Sequence, residues 1–263
     1  MKKNIKTTSI LVIGGSGFIG SNFLKKRDLY HKKFHYTIIA PEHKELDIHN
    51  LNQLKKIFSE YHPKIVINFG AHRDANSAEK QRGDKKGSAW QTNVIGVQNL
   101  SDMSQQYNSF LIHISTDMVF AGGDINRGPY EEELRAETDL EKLSWYGWTK
   151  AEAERILNKN KHAAIIRIGN VTQPVYDPKL DYVGKIVYLF DREKLYPLFD
   201  DQYLTLTYIP SLFDVIEVLI EKKQNGIFHV ASKNLFTPYE LARYMIKKTR
   251  GKEHVVKKLS IQN

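Results

Sequence analysis

Tyr146-Gly147-Trp148-Thr149-Lys150 sets a phenol and an ammonium four residues apart, on one face wherever the segment is helical. A free tyrosine ionises near pH 10, too high for easy proton exchange at neutral pH. A cation within a few ångströms favours the phenolate, so Tyr146 could act as an acid in reduction or a base in oxidation. Taken alone, the pair is also what an ordinary helix surface carries. Ile114-Ser115-Thr116-Asp117 ends an apolar run with hydroxyls, and Thr116 could orient a substrate oxygen against Tyr146. A turn-capping Ser/Thr/Asp cluster has the same composition. The third feature is Gly14-Gly15-Ser16-Gly17-Phe18-Ile19-Gly20. Gly14 would allow a tight turn, Gly17 a close approach of backbone to a pyrophosphate, and Gly20 tight packing of helix on strand. The phosphates would sit on free N–H groups at a helix N-terminus. Its spacing is G-x-x-G-x-x-G rather than G-x-G-x-x-G, and glycine turns also join strands to helices for structural reasons alone. Order decides between these readings: glycine turn, strand-end hydroxyl, then Tyr-x-x-x-Lys about 30 residues later, three weak signals that agree on one dinucleotide site.

The elements that must position these groups alternate. Strands are expected at 9–13, 36–40, 65–69, 110–115 and 163–168, each short and apolar on both faces, as in a buried parallel sheet. Helical patterns fill 18–26, 51–60, 90–106 and 145–158. The expected fold is α/β, a Rossmann-like doubly wound parallel sheet with a smaller C-terminal substrate lobe. The dinucleotide-binding domain spans residues 1–169. Beyond it, Pro174, Pro178, Pro197 and Pro210 punctuate shorter elements, with helices at 183–191, 209–221 and 238–248 in a lobe of residues 170–263. A strand at 226–231 is expected to return to the main sheet.

The chain has 263 residues, a net charge of +9 and no cysteine, which removes disulfides and thiolate metal sites and suits a cytoplasmic protein. Lys247-Lys248-Thr249-Arg250-Gly251-Lys252 is the densest basic run, read as a solvated face rather than a nucleic-acid site. Met1-Lys2-Lys3 before apolar Ile10–Ile13 imitates a signal peptide, but the glycines that follow fit a strand-to-turn transition instead. No stretch reaches the roughly 20 apolar residues of a membrane span. No His/Asp/Glu cluster has metal-ligand spacing, so no metal is expected. After strand two, Glu42 could accept from a ribose 2′-OH, whereas His43 and Lys44 could accompany a 2′-phosphate; the phosphorylated cofactor is favoured.

These motifs resemble the extended short-chain dehydrogenase/reductase family, and within it the dTDP-4-dehydrorhamnose reductase group. Glu45-Leu46-Asp47-Ile48 looks like that group's segment beside the adenine. Val66-Ile67-Asn68-Phe69-Gly70-Ala71 is similar to its cofactor-lining strand, His113-Ile114-Ser115-Thr116-Asp117-Met118-Val119-Phe120 to its catalytic strand, and Asp201-Gln202 to a pair in its substrate lobe. The resemblance implies Thr116, Tyr146 and Lys150 as catalytic residues. It implies NADP or NAD held by Gly14, Ser16, Gly17, Phe18, Ile19, Gly20, Asp47, Ile48, Gly70, Ala71, His72, Tyr146 and Lys150. A hydrogen-bonded structural role is the plainer reading of His72. Thr116, Asp117, Met118, Asn170 and Gln202 are candidates for the substrate, a nucleotide-linked 4-keto-6-deoxysugar reduced at C4 for polysaccharide synthesis. The related dehydratases carry Asp-Glu after the catalytic threonine; here Met118 follows Asp117, and a thioether transfers no protons. A 4-epimerase and a non-catalytic, cofactor-bound subunit stay open, as does a homodimer. Ile168-Gly169-Asn170 stands where the reductases usually carry an aromatic residue, and the chain ends at Asn263, short of their last segment.

Overall fold

The structure is a computed structural model that describes residues 8–26, 36–123, 127–175, 181–252 and 256–261. The strands are β1 (Thr8–Ile13), β2 (Tyr36–Ile39), β3 (Ile65–Asn68), β4 (Phe110–Thr116), β5 (Ala163–Ile168), β6 (Asn170–Thr172), β7 (Leu198–Phe199), β8 (Leu206–Tyr208), β9 (Gly226–Val230) and β10 (Lys258–Leu259). The α-helices are α1 (Phe18–Lys25), α2 (Leu51–Tyr61), α3 (Ala75–Glu79), α4 (Ser88–Trp90), α5 (Gly96–Gln106), α6 (Trp145–Leu157), α7 (Tyr182–Phe190), α8 (Ile209–Lys222) and α9 (Pro238–Arg250).

Six strands form one sheet in the order β2-β1-β3-β4-β5-β9, with β1–β2, β1–β3 and β3–β4 all parallel. Strands β3, β4 and β5 are buried along their whole length, as apolar runs covered on two faces must be. The expectation of a doubly buried strand fails for β2. It lies at the sheet edge with Thr37 exposed, where there is no second neighbour to cover it. One core cluster joins Leu11, Val66 and Leu111 of the sheet to Leu54 and Phe58 of α2, Val97 and Leu100 of α5 and Leu157 of α6. The stretch read as a single helix from Trp90 opens at Ser88 and contains a π-helical turn at Gln91–Ile95. Just after it, a Cβ on Gly96 would collide with Ile48, so the glycine lets the two segments meet.

The chain divides into two compact units, Met1–Arg167 with Ile216–His229, and Ile168–Val215 with Val230–Asn263. The second unit has its own core, in which Ile186 of α7 and Leu198 of β7 pack with Leu241 and Ile246 of α9. Its small sheets, β6–β8 and β7–β10, are too short for sequence periodicity to register. The basic run at 247–252 closes α9: Gly251 takes the left-handed cap at φ 68°, and Arg250 pairs with Asp191 at 2.6 Å. Among the described residues no helix is long and apolar enough to cross a membrane.

Leu100 is 0% exposed at the centre of the sheet-facing core. Leu100→Ala should lower unfolding stability by about 2–5 kcal/mol in a urea titration. A loss below about 1 kcal/mol would mean that α5 does not anchor this core.

Candidate active site

The chain passes from β2, on one side of β1, to β3 on the other, so the carboxyl ends of β1 and β3 flank a topological switch point, where open α/β sheets bind ligands. Both ends carry glycine, and they touch. Gly14 holds φ +73°, and a Cβ there would lie 2.6 Å from Gly70 N. A Cβ on Gly20 would strike the Gly14 carbonyl oxygen, which fixes how closely α1 packs on the turn. Gly17 differs from its two neighbours in the motif. Its backbone, at φ −71° and ψ 170°, is open to any residue, and its N–H donates to Gly14 O at 3.0 Å. As the N-cap of α1 it brings no side chain to the first-turn amides. Asn50, Asp74, Ser144, Asp181 and Thr237 do cap their own helices. An uncapped helix start beside two exposed residues, Ser16 and Gly17, is a cradle of N–H donors that suits a pyrophosphate.

Helix α6 delivers Tyr146 and Lys150. Ser144 Oγ caps it by accepting from Gly147 N at 3.1 Å. A Cβ on Gly147 would run into the Met118 carbonyl oxygen, so only glycine lets α6 lie against the 3-10 turn Asp117–Val119 that follows β4. That approach sets the half-buried Tyr146 phenol beside Thr116. The Thr116 hydroxyl donates to Asp117 Oδ1 at 3.1 Å and accepts from Met118 N at 3.3 Å. Burial and then the Asp117 charge push the Tyr146 phenol up to about 12, against a smaller easing by Thr116 and the Arg73 guanidinium. Burial also lifts the Asp117 carboxyl above its usual range.

Lys150 does not lower the phenol as the four-residue spacing implied. Its Nζ turns inward, donating to Ile114 O at 2.7 Å and lying 2.9 Å from His113 Nε2. Burial pulls the ammonium down to about 8, opposed by Glu154. The phenol is therefore held protonated, the state a general acid requires.

The other expected residues lie elsewhere around the sheet and in the second unit. Gly70, Ala71 and His72 continue from β3, and Asn93, in the π-turn, clamps them: His72 N donates to Asn93 Oδ1 at 2.8 Å, while Asn93 Nδ2 reaches His72 O at 3.1 Å and Thr149 Oγ1 at 2.9 Å. This bolts the β3 loop to α6. His72 Nδ1 lies 3.3 Å from Ser88 Oγ, and its buried Nε2 has no hydrogen-bond partner among the described residues. Asp47 and Ile48 point differently. The Asp47 carboxylate accepts from His49 N at 2.9 Å, whereas the Ile48 side chain is buried and its carbonyl accepts from Asn99 at 2.9 Å. Glu42, His43 and Lys44 are exposed, with Lys44 paired to Glu42 at 2.9 Å. Met118 is exposed beside Asp117. Asn170 starts β6 and Gln202 is exposed, and both belong to the second unit. Sequence reasoning gave no role to Asn93, Gly147, Asn68 or His113. A glycine inside a helix costs about 1 kcal/mol relative to alanine and was a readable signal; polar residues that pair only across strands were not.

The family described as RmlD substrate binding domain matches residues 8–263. The chain is 28% identical over 240 residues to a dTDP-4-dehydrorhamnose reductase of Aggregatibacter actinomycetemcomitans, covering 89% of this chain and 76% of that protein. It is 26% identical over 261 residues to the methionine adenosyltransferase 2 subunit beta of Pongo abelii, covering 91% and 71%. Its fold is similar to a crystal structure of a dTDP-4-dehydrorhamnose reductase from Bacillus anthracis in complex with NADP, with a TM-score of 0.83, 24% identity and coverage of 97% and 85%.

Gly14 and Gly122 both have positive φ, but a Cβ at Gly122 meets nothing within 4 Å. Gly122→Ala should lose about 1–2 kcal/mol in urea, from the left-handed backbone alone. Gly14→Ala should lose more and abolish the thermal shift on adding NADPH. Equal losses, with the shift retained, would show that the contact with Gly70 does not shape the cradle.

Proposed function

We propose that this chain, which belongs to the RmlD substrate binding domain family, is an NADPH-dependent reductase of a nucleotide-linked 4-keto-6-deoxysugar. One observation carries the reading: α6, seated by Gly147 against the turn after β4, places the Tyr146 phenol beside Thr116 at the carboxyl end of that strand. NADPH, when bound, supplies the hydride to the carbonyl carbon. The α1 amides and the glycines at 14, 17 and 20 hold its pyrophosphate, while Asp47 and the segment from Gly70 to His72 flank it. Thr116 orients the carbonyl oxygen, and the Tyr146 hydroxyl donates the proton to it. Lys150, after serving Ile114 O and His113, keeps one N–H for a ribose hydroxyl. Exposed His43 and Lys44 favour the 2′-phosphate, in keeping with the NADP named in the complex of the similar reductase. The second unit is the substrate lobe, with Asn170 and Gln202 as its sugar contacts. The reaction belongs to the cytoplasm and to deoxysugar synthesis for a polysaccharide.

A second reading has a specific observation behind it, the similarity to a protein named as a subunit of methionine adenosyltransferase. On that reading the chain binds a dinucleotide without turnover. A Tyr146–Thr116 pair set by Gly147 is more than a binding protein requires, which favours the reductase.

Tyr146→Phe should lower kcat by about 100-fold or more while leaving the Kd for NADPH within about twofold. Wild-type rates in the variant would remove Tyr146 as the acid. The reduction rate should also fall as pH rises through about 8, because Lys150 there loses its charge and a neutral amine holds the cofactor's ribose hydroxyl more weakly. A rate that is flat through that interval would remove Lys150 from that contact.

A further inference from the structure

Arg73 follows the clamped His72, and the reaction above gives it no part. Both of its chain neighbours are anchored. Behind it, Asn93 bonds the N–H and the carbonyl of His72, and the same Asn93 amide donates to Thr149 Oγ1. That hydroxyl donates in turn to Tyr146 O at 2.8 Å, so a continuous run of hydrogen bonds joins the His72 carbonyl to the Tyr146 backbone. Ahead of it, Asp74 caps α3 by accepting from Ser77 N at 3.0 Å. Helix α3 is tied to the start of α6. Glu79 Oε2 accepts from Trp145 N at 2.8 Å, Arg82 donates to Leu143 O at 2.6 Å, and Ala78 shares an apolar cluster with Trp145 and Tyr146. Arg73 is therefore carried on backbone pinned to the first turns of α6, and its charge is felt at the Tyr146 phenol.

Nothing in the chain uses that charge. Arg73 is exposed and makes no hydrogen bond or ion pair among the described residues. The acids near it in sequence are committed, Asp74 to its helix cap and Glu79 to Trp145 N and Arg82. Asp117, whose charge also reaches the phenol, holds the Thr116 hydroxyl. Two opposite charges thus reach Tyr146 from beyond the ends of adjacent strands, Arg73 after β3 and Asp117 after β4. They suit different partners. A carboxylate accepts, as a sugar hydroxyl requires, whereas a guanidinium donates through a planar fork that matches two oxygens of a phosphate. A nucleotide-linked sugar offers both, hydroxyls on its ring and phosphates on C1. With its carbonyl at Thr116 and Tyr146, only the width of one ring separates those phosphates from the phenol.

We propose that Arg73 is a substrate-recognition residue that binds the diphosphate of the nucleotide-linked sugar and so turns the C1 end of the ring toward the β3 loop. This rests on the reading of the site as one for such a sugar. The ring hydroxyls then fall to Asp117, and the substrate is held in one direction by two groups of opposite charge. The cofactor's own phosphates, on the same reading, have their seat at the glycine turn.

The test is isothermal titration of the NADPH-loaded full chain with dTDP, UDP, CDP and GDP, carrying forward the diphosphate that binds best. In Arg73→Gln its Kd should rise by about tenfold or more, the loss of a forked, charge-assisted contact. Arg73→Lys, which keeps the charge without the fork, should fall between the two. The Kd for NADPH should stay within about twofold in both variants. Lys85→Gln removes a nearby charge that sits over Trp90, and should move the diphosphate Kd by less than about twofold. A wild type that binds none of the four diphosphates overturns the proposal, and so does an Arg73→Gln that binds as the wild type does. An equal rise in Lys85→Gln would mean general attraction instead of a contact, and a rise for NADPH would give the arginine to the cofactor; either result overturns it. No sugar is reduced in these titrations. A diphosphate that depends on Arg73 in a chain without turnover refutes the reductase and keeps the contact, and turnover with a Kd unmoved by Arg73→Gln does the reverse.

Discussion

A lysine with 1% of its surface exposed forces the groups around it to supply what water would. Lys150 takes one acceptor from the backbone of β4 and one nitrogen from His113, and both come from a strand buried along its whole length. The register of β4 against β3 then brings Asn68 opposite His113. The strand order that sets this register also puts the carboxyl ends of β1 and β3 side by side. Phenol, lysine and glycine cradle are in this sense one arrangement, since none can shift without disturbing the sheet that carries the others.

Absent side chains matter as much as present ones. Gly14, Gly20 and Gly147 each stand where a Cβ would collide with backbone, and backbone cannot swing aside as a side chain can. The first two bring β1, β3 and α1 together, and the third brings α6 onto the turn after β4. Asn93 adds a polar clamp between the β3 loop and Thr149 of α6, so the elements on either side of the site are held by hydrogen bonds as well as by packing. The buried Glu154–Arg167 pair, at 2.7 Å, holds α6 against β5 from its far end. Removing either partner would leave the other as an uncompensated buried charge.

Much of this was legible in the residues. The runs at 65–69 and 163–168 announced buried strands by length and β-branching, and the Pro238 start and Gly251 end of α9 carry ordinary helix punctuation. The Tyr-x-x-x-Lys pair and the strand-end threonine pointed to one site, and in the structure Tyr146 and Thr116 do meet. What sequence could not give was anything decided between strands. His113 and Asn68 read as two polar residues 45 positions apart, and only the β3–β4 register makes them neighbours. The direction of Lys150 was hidden for the same reason. Spacing on a helix says that a lysine can reach a tyrosine, but burial and the Ile114 carbonyl draw it inward instead. The second unit was read least well, because its strands have two or three residues and show no period.

The most direct test of the central claim follows deuterium from NADPH labelled at the transferring carbon into a nucleotide-linked 4-keto-6-deoxysugar, read by mass spectrometry of the product. The account predicts one deuterium at C4 of the sugar for each NADPH oxidised. A sugar that changes configuration with no cofactor consumed, or a cofactor that binds while the ketone survives, would contradict it.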